Sequence, residues 1–228
     1  MKSKSIKQKT VKSAGAARTE KTEKKSDITR YRIITAAKKV FARLPYHAAS
    51  IRMIGKEGRV NHELIRYHFP NKALLFQTIL RDICDDFYRS NISFLDGLSE
   101  MDAKEGFSLY IDRFLEHHFR NPEALRIIVL NMVMTDKPKS IPGYRHIPEM
   151  LSRTRSTFKE KIPVIASDRE IEIFISGFNN LLLHLLGAGY CQASILGLKH
   201  NGVKYREWVK TTLLEIFLPH LKRLVGTP

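Results

Sequence analysis

The sequence predicts an all-α protein in two parts, a small basic head of four helices and a larger helical body. Three observations carry this. From Asp27 onward, apolar residues recur at the 3.6-residue spacing of a helix face, with Ser, Asn, Gly and Pro punctuating the runs. Of a formal net charge of +16, residues 1–26 carry +7, residues 27–72 another +7, and residues 73–228 only +2. And the first 26 residues hold Ile6 and Val11 as their only large apolar side chains. They cannot offset their ordering entropy by burial, so residues 1–26 are expected to form a disordered basic arm. The head is then 27–72 and the body 73–228.

These properties exclude several classes. A 43% hydrophobic content suits a globular core. The two cysteines, Cys84 and Cys191, lie in apolar periodic segments, which fits a reducing cytoplasm and no disulfide framework. No apolar region follows the basic start, so no secretory signal is expected. The cluster Leu181–Leu186 is interrupted by His184 and is too short to span a bilayer. A basic head on a near-neutral body points to a polyanionic partner. The arm lacks the amphipathic face a membrane would need, which favours nucleic acid over lipid.

In the first helix Ile33, Ile34, Ala37, Val40 and Phe41 share one face, with Asp27 or Thr29 expected as cap and Pro45 beyond the end. Ser50 caps a short second helix with Ile51 and Ile54 inward, and Gly58 is expected to supply the left-handed residue that stops it. Asn61 caps a third helix, with Glu63 in its first turn and Leu64, Ile65 and His68 or Phe69 inward. Pro70-Asn71 breaks and recaps the chain. A long fourth helix follows from Lys72 through Leu74, Leu75, Ile79, Ile83 and Phe87 toward Leu95. Two short helices joined by a tight Gly-containing turn are the plan of a helix-turn-helix, whose second helix enters a DNA major groove. The third helix is then short because DNA, not protein, fills its outer side.

Residues 29–72, TRYRIITAAKKVFARLPYHAASIRMIGKEGRVNHELIRYHFPNK, resemble the DNA-binding domain of TetR-type bacterial transcriptional regulators. The resemblance rests on Thr29-Arg30 with Ile33, Ala36-Ala37 with Phe41, Tyr46, the run Ser50-Ile51-Arg52 with Ile54, Val60, and above all Ile65 with Tyr67-His68-Phe69-Pro70-Asn71-Lys72. The chain departs from the family pattern at the turn, where Gly58-Arg59 places the glycine one position early, at Glu63, where a small residue is common, and at Pro45, which replaces a usual glycine.

The resemblance implies a set of roles. Ser50 and Asn61 hold phosphates, as do Tyr67 and Lys72. His62, Glu63 and Arg66 face base edges, where Arg suits guanine and Glu can accept from cytosine. Glu63 is otherwise a helix-start acid, Arg59 is either a phosphate ligand or a solvated loop residue, and His68 is a core histidine. The resemblance further implies a homodimer on a pseudo-palindromic double-stranded operator, released by a small apolar effector. In this reading the chain is a cytoplasmic, sequence-specific transcriptional regulator, a ligand-released repressor. The alternative is a nucleoid-type protein that coats DNA without sequence preference.

The body reads as helices from Asp102 or Ala103 to Phe119, from Asn121-Pro122 to about Met134, from Met150 to Ile162, over 168–187 and over 204–224. The last two are more apolar around their circumference than one buried stripe requires, and the family pairs such helices across a two-fold axis. No catalytic pattern is present: HExxH, GxSxG, Walker and GxGxxG motifs are absent. Glu116-His117-His118 puts its histidines on different faces, and Gly187-Ala188-Gly189 reads as a helix stop. No enzyme activity, metal or cofactor is expected. An effector pocket is expected among the aromatic and methionine residues of the body: Phe87, Phe107, Tyr110, Phe114, Met132 and Phe178.

Overall fold

The computed structural model describes residues 24–133 and 135–226, and every regular element among them is helical. The basic arm expected over 1–26 lies outside the described residues as far as position 23. Residues 24–26 are already helical and open α1 (residues 24–41). Lysine is a good helix former, and the Thr29 hydroxyl bonds back to the Lys25 carbonyl at 3.0 Å. Asp27 and Thr29 are therefore inside α1 rather than caps.

The rest of the head is α2 (Ile51–Gly58), α3 (His62–His68) and the long α4 (Lys72–Phe94). Their starts follow the sequence: Ser50, Asn61 and Asn71 each accept a backbone N–H in the first turn. The body comprises α5 (Ala103–Arg120), α6 (Glu123–Ile128), α7 (His146–Lys161), α8 (Asp168–Leu182), α9 (Tyr190–Ile195) and α10 (Val203–Val225). A capping box at Ser167 and Glu170 opens α8. Two helices do not end where their α-geometry ends. α6 continues as a π-helical segment Val129–Val133, and α8 as another, Leu183–Ala188.

Two cores share α4. The head core gathers Ile33, Ala37, Phe41, Ile54, Ile65, Phe69, Leu75, Phe76 and Ile79. The body core gathers Phe107, Ile111, Phe114, Phe174, Phe178, Tyr205 and Leu213. Phe87, midway along α4, packs against both. The short α6 also bridges them, with Ile127 and Ile128 in the head core and Leu125 in the body core. α10 packs on α5 and α8, and α7 packs on α4.

Some sequence expectations are corrected. α7 begins at His146 rather than Met150, and α9 has no counterpart in the expected elements. In the Gly187-Ala188-Gly189 stretch the stop falls at Gly189, the cap of the π-helical segment. Gly187 sits inside that segment, where a Cβ would lie 2.6 Å from Val129 Cγ2 and 3.0 Å from the Leu125 carbonyl. Leu64 is 41% exposed rather than inward, leaving Ile65 and Phe69 to pack α3 onto the core. The adjacent histidines do diverge: His117 Nε2 meets Asp86 at 3.2 Å, whereas His118 is buried on the other side.

The turn between α2 and α3 explains the early glycine. The left-handed residue is Arg59 (φ 51°, ψ 45°), not Gly58. Val60 N–H reaches the Gly55 carbonyl at 2.9 Å and Arg59 N–H the Lys56 carbonyl at 3.4 Å, a Schellman closure. Gly58 is needed for proximity instead, since a Cβ there would be 2.9 Å from Ala36 Cβ on α1. Holding Arg in the left-handed region costs on the order of 1 kcal/mol, which glycine would not incur. Arg59→Gly should therefore raise the thermal unfolding midpoint and Gly58→Ala should lower it. The opposite order in a melting experiment would show that the turn is not limited by these two constraints.

Candidate functional site

α3 has seven residues and buries only Ile65 among them. Its remaining surface is presented outward: His62, Glu63, Leu64, Arg66 and Tyr67 are all exposed, Tyr67 to 78%. Asn61 Oδ1 accepts Glu63 N–H at 3.0 Å, fixing the helix start and leaving the amide nitrogen outward. Ser50 Oγ accepts Met53 N–H at 3.3 Å and keeps its own proton to donate. Arg59 is exposed at the turn. Except for the half-buried Ser50, these residues are therefore open to solvent. His68 is half-buried, its ring edge-on to Tyr67 at 5.2 Å.

The turn is braced from α1. The Arg32 guanidinium donates to the Gly58 and Arg59 carbonyls at 3.1 and 3.4 Å, a cation at the C-terminus of α2 where the helix dipole favours it. Arg43 pairs with Glu57, and the Arg30 guanidinium stacks over Phe69 at 5.3 Å. Three arginines that sequence reasoning left as general positive charge thus hold α2 and α3 in place. Their partners are backbone carbonyls, a carboxylate and a ring remote in sequence, so no local pattern marks them.

Lys72 differs from the other expected phosphate ligands. Its ammonium donates to the Tyr46 and Ala49 carbonyls, both at 2.8 Å, and lies 4.3 Å from the centre of the Tyr46 ring. Partial burial holds its pKa below the usual lysine range. Two of its three protons are committed inside the protein, which makes it a brace for the α1–α2 loop with one proton left for a phosphate.

In the body, a cavity of about 240 Å³ opens between the C-terminal end of α4, the start of α5, and α7, α8 and α10. Of the six residues expected to line a pocket, Phe107, Tyr110 and Phe178 do so. Phe114 is instead buried in the body core, Phe87 packs at the junction of the cores, and Met132 packs against the head core. Phe87 and Phe114 share helix faces with the lining residues Asn91 and Tyr110 but sit one turn away along the helix, and periodicity cannot tell a core-facing aromatic from a cavity-facing one. Residues missed by the sequence reading include Asn91 and Phe174. Asn91 Nδ2 donates to the Tyr110 hydroxyl at 2.8 Å, and burial pushes the Tyr110 phenol up to about 12.

Two capped helices joined by a tight turn, braced by a third and carried on a helical body, define a helix-turn-helix protein. Residues 33–79 match the family model of bacterial regulatory proteins, tetR family. An HTH-type transcriptional repressor of Streptomyces coelicolor is 33% identical over 102 residues, 45% of this chain and 48% of that protein. The match thus spans about half the length of this curated relative. A TetR-family transcriptional regulator of Mesorhizobium loti is similar in structure, with a TM-score of 0.57 and 20% identity over 85% of this chain and 96% of that one. The transcriptional regulator FadR of Bacillus subtilis, solved with stearoyl-CoA, gives a TM-score of 0.58 at 14% identity, covering 83% and 98%. At such identities the structural likeness is one of fold. The head thus matches the tetR family model over residues 33–79, and the all-helical architecture of the whole is shared with these solved regulators.

The geometry of Lys72 leads to a specific expectation. Lys72→Ala removes two charge-assisted bonds and should lower stability by about 1–2 kcal/mol in denaturant unfolding, besides weakening DNA binding on all sequences alike. Unchanged stability would mean that the two carbonyl contacts contribute nothing net.

Proposed function

We propose that the protein is a sequence-specific transcriptional repressor that binds a pseudo-palindromic operator as a homodimer and is released by a small apolar effector. The observation that carries this is the surface of α3: a seven-residue helix that buries one side chain and presents Glu63, Arg66 and Tyr67 outward. A helix so poor in its own burial is retained for what its outer side contacts. In this reading Arg66 reads a guanine edge, and Ser50, Asn61 and Tyr67 hold flanking phosphates. Chromosomal DNA as partner implies a cytoplasmic location. The head's charge also supports a second reading, a protein that coats DNA without sequence preference.

Footprinting on genomic fragments separates the two. Discrete two-fold protection is expected, whereas continuous coverage would favour the coating protein. On a protected site Arg66→Ala should cost about 1–3 kcal/mol and flatten base preference. Equal loss on specific and random DNA would remove Arg66 from the reading face.

The dimer is supported by apolar surface left over on α8 and α10. Residues 168–188 have a mean hydropathy of 1.4 over a membrane-length window, yet only 39% of that window is buried within one chain. Ile173, Gly177, Asn180 and His184 follow one another at helical spacing along an exposed stripe of α8. On α10, which packs against α8, Ile216 is 54% exposed and Pro219 is exposed beside it. A second copy bringing the same two helices would cover these stripes and set two α3 helices to successive major grooves. Ile173→Lys should then give a folded monomer in analytical ultracentrifugation, with operator affinity reduced and half-site affinity kept. A variant that still sediments as a dimer would move the interface elsewhere.

The effector reading is supported by the cavity itself, and FadR, a structural neighbour, was solved with stearoyl-CoA. For such a ligand to release DNA it must bind the DNA-free conformation better than the DNA-bound one.

A further inference from the structure

We infer that the body cavity selects an uncharged apolar molecule carrying one hydrogen-bond acceptor, which the Tyr110 hydroxyl anchors. This rests on reading the cavity as the effector site, and it narrows that reading to a charge class.

The argument begins with what the walls lack. No Lys or Arg is among the described residues that line the cavity, and Asp102 supplies the one formal charge. That carboxylate is already engaged as the cap of α5, accepting Lys104 N–H at 2.6 Å and Glu105 N–H at 3.4 Å. Two cations nearby are committed as well. Arg113 donates to the Phe94 and Asp96 carbonyls at 2.9 and 2.8 Å, closing the end of α4, and Lys161, next to the lining residue Ile162, pairs with the Asp96 side chain. A carboxylate or phosphate entering here would leave water without gaining a cation and would meet the charge of Asp102. An unpaired buried charge is strongly disfavoured. The ligand class of FadR, with its highly charged nucleotide head group, therefore does not suit these walls.

The next step is what the walls offer. Phe107, Phe158, Phe174 and Phe178 give an apolar aromatic surface. Among them Tyr110 and Asn91 form a polar pair, Asn91 Nδ2 donating to the phenol oxygen at 2.8 Å. Asn91 is 8% exposed, so the pair is held by packing as well as by its bond. A phenol is protonated at neutral pH, and burial, by raising its pKa further, keeps it so. Its oxygen has accepted a bond, and its own proton remains to be given. A ketone, ester, amide or ether oxygen would receive it, and the rest of such a molecule would lie on the rings. The volume, about 240 Å³, suits a small molecule.

Three probes of matched chain length test this on the full-length wild-type protein: 2-decanone, decanoate and decylammonium, compared by calorimetric titration at neutral pH. The ketone should bind at least about tenfold more tightly than decanoate and more tightly than the ammonium, a factor of ten being about 1.4 kcal/mol. Tyr110→Phe should weaken the ketone several-fold while leaving the affinity for decane, which has no acceptor, unchanged. Decanoate or the ammonium binding as tightly as the ketone, or no ketone binding at its solubility limit, overturns the assignment. So does a Tyr110→Phe protein that has lost affinity for decane and ketone in equal measure. Operator binding is read separately in the same samples. If the ketone binds as expected but operator affinity does not change, the charge class stands and the regulatory reading of the cavity falls.

Discussion

The head is fastened to the body at the loop between α1 and α2, and the rest of the arrangement depends on that loop keeping its shape. The Lys72 ammonium gathers the carbonyls of Tyr46 and Ala49 from one side. From the other, Asn131 in the π-helical extension of α6 accepts the Tyr46 N–H at 2.6 Å. Asn131 is almost fully buried and anchors its own amide nitrogen on the Ile127 carbonyl at 2.8 Å. Backbone groups of a loop that would otherwise be buried without partners are thus satisfied by one side chain of α4 and one of the body. The Tyr46 ring packs between Phe41, Phe76 and the Lys72 ammonium. α2 leaves from this loop, so the position of α3 is set here.

α3 cannot hold itself in place. It buries Ile65 and is followed by Phe69, and the remainder of its support comes from outside: Arg32 on the turn carbonyls, Arg30 on Phe69, and the close approach of α2 to α1 that Gly58 permits. The division of labour is physical. A surface kept open for a polyanion cannot also be packed, so the burial that stabilises it must be supplied by α1 and α4. The body shows the converse. Within the apolar run of residues 168–188 only 39% is buried, and Phe107 and Phe178, though buried, line a cavity beside α8.

Much of the head was legible from the sequence because its signals are local. Ser50, Asn61 and Asn71 cap helices through bonds to residues two or three positions on, and the 3.6-residue period of Ile33, Ala37 and Phe41 marks a buried face without further information. The turn was misjudged by one residue. Propensity favours glycine at the left-handed position, yet the glycine was spent on the contact with Ala36, and Arg59 took the strained conformation. In the body, helix existence was legible and helix detail was not. The π-helical segments depend on packing across α6 and α8, where Gly187 meets Val129, and no periodicity encodes that.

By itself, the sequence determined that the chain is helical, that its charge is concentrated in the first third, and where α2, α3 and α4 begin. Each of these follows from composition or from interactions within a few residues along the chain. Only the tertiary structure decided what the side chains do at long range. It gave Lys72, expected to hold a phosphate, a second role as a brace for a loop 23 and 26 residues away. It set Phe107 and Tyr110 against a cavity while burying Phe114 one helical turn further on. It joined Asn131 to Tyr46 across 85 residues of chain. The physical reason is common to all three: a polar group or a ring is satisfied by whatever the fold brings within a few ångströms, and that neighbour is not recorded in the spacing of residues along one helix.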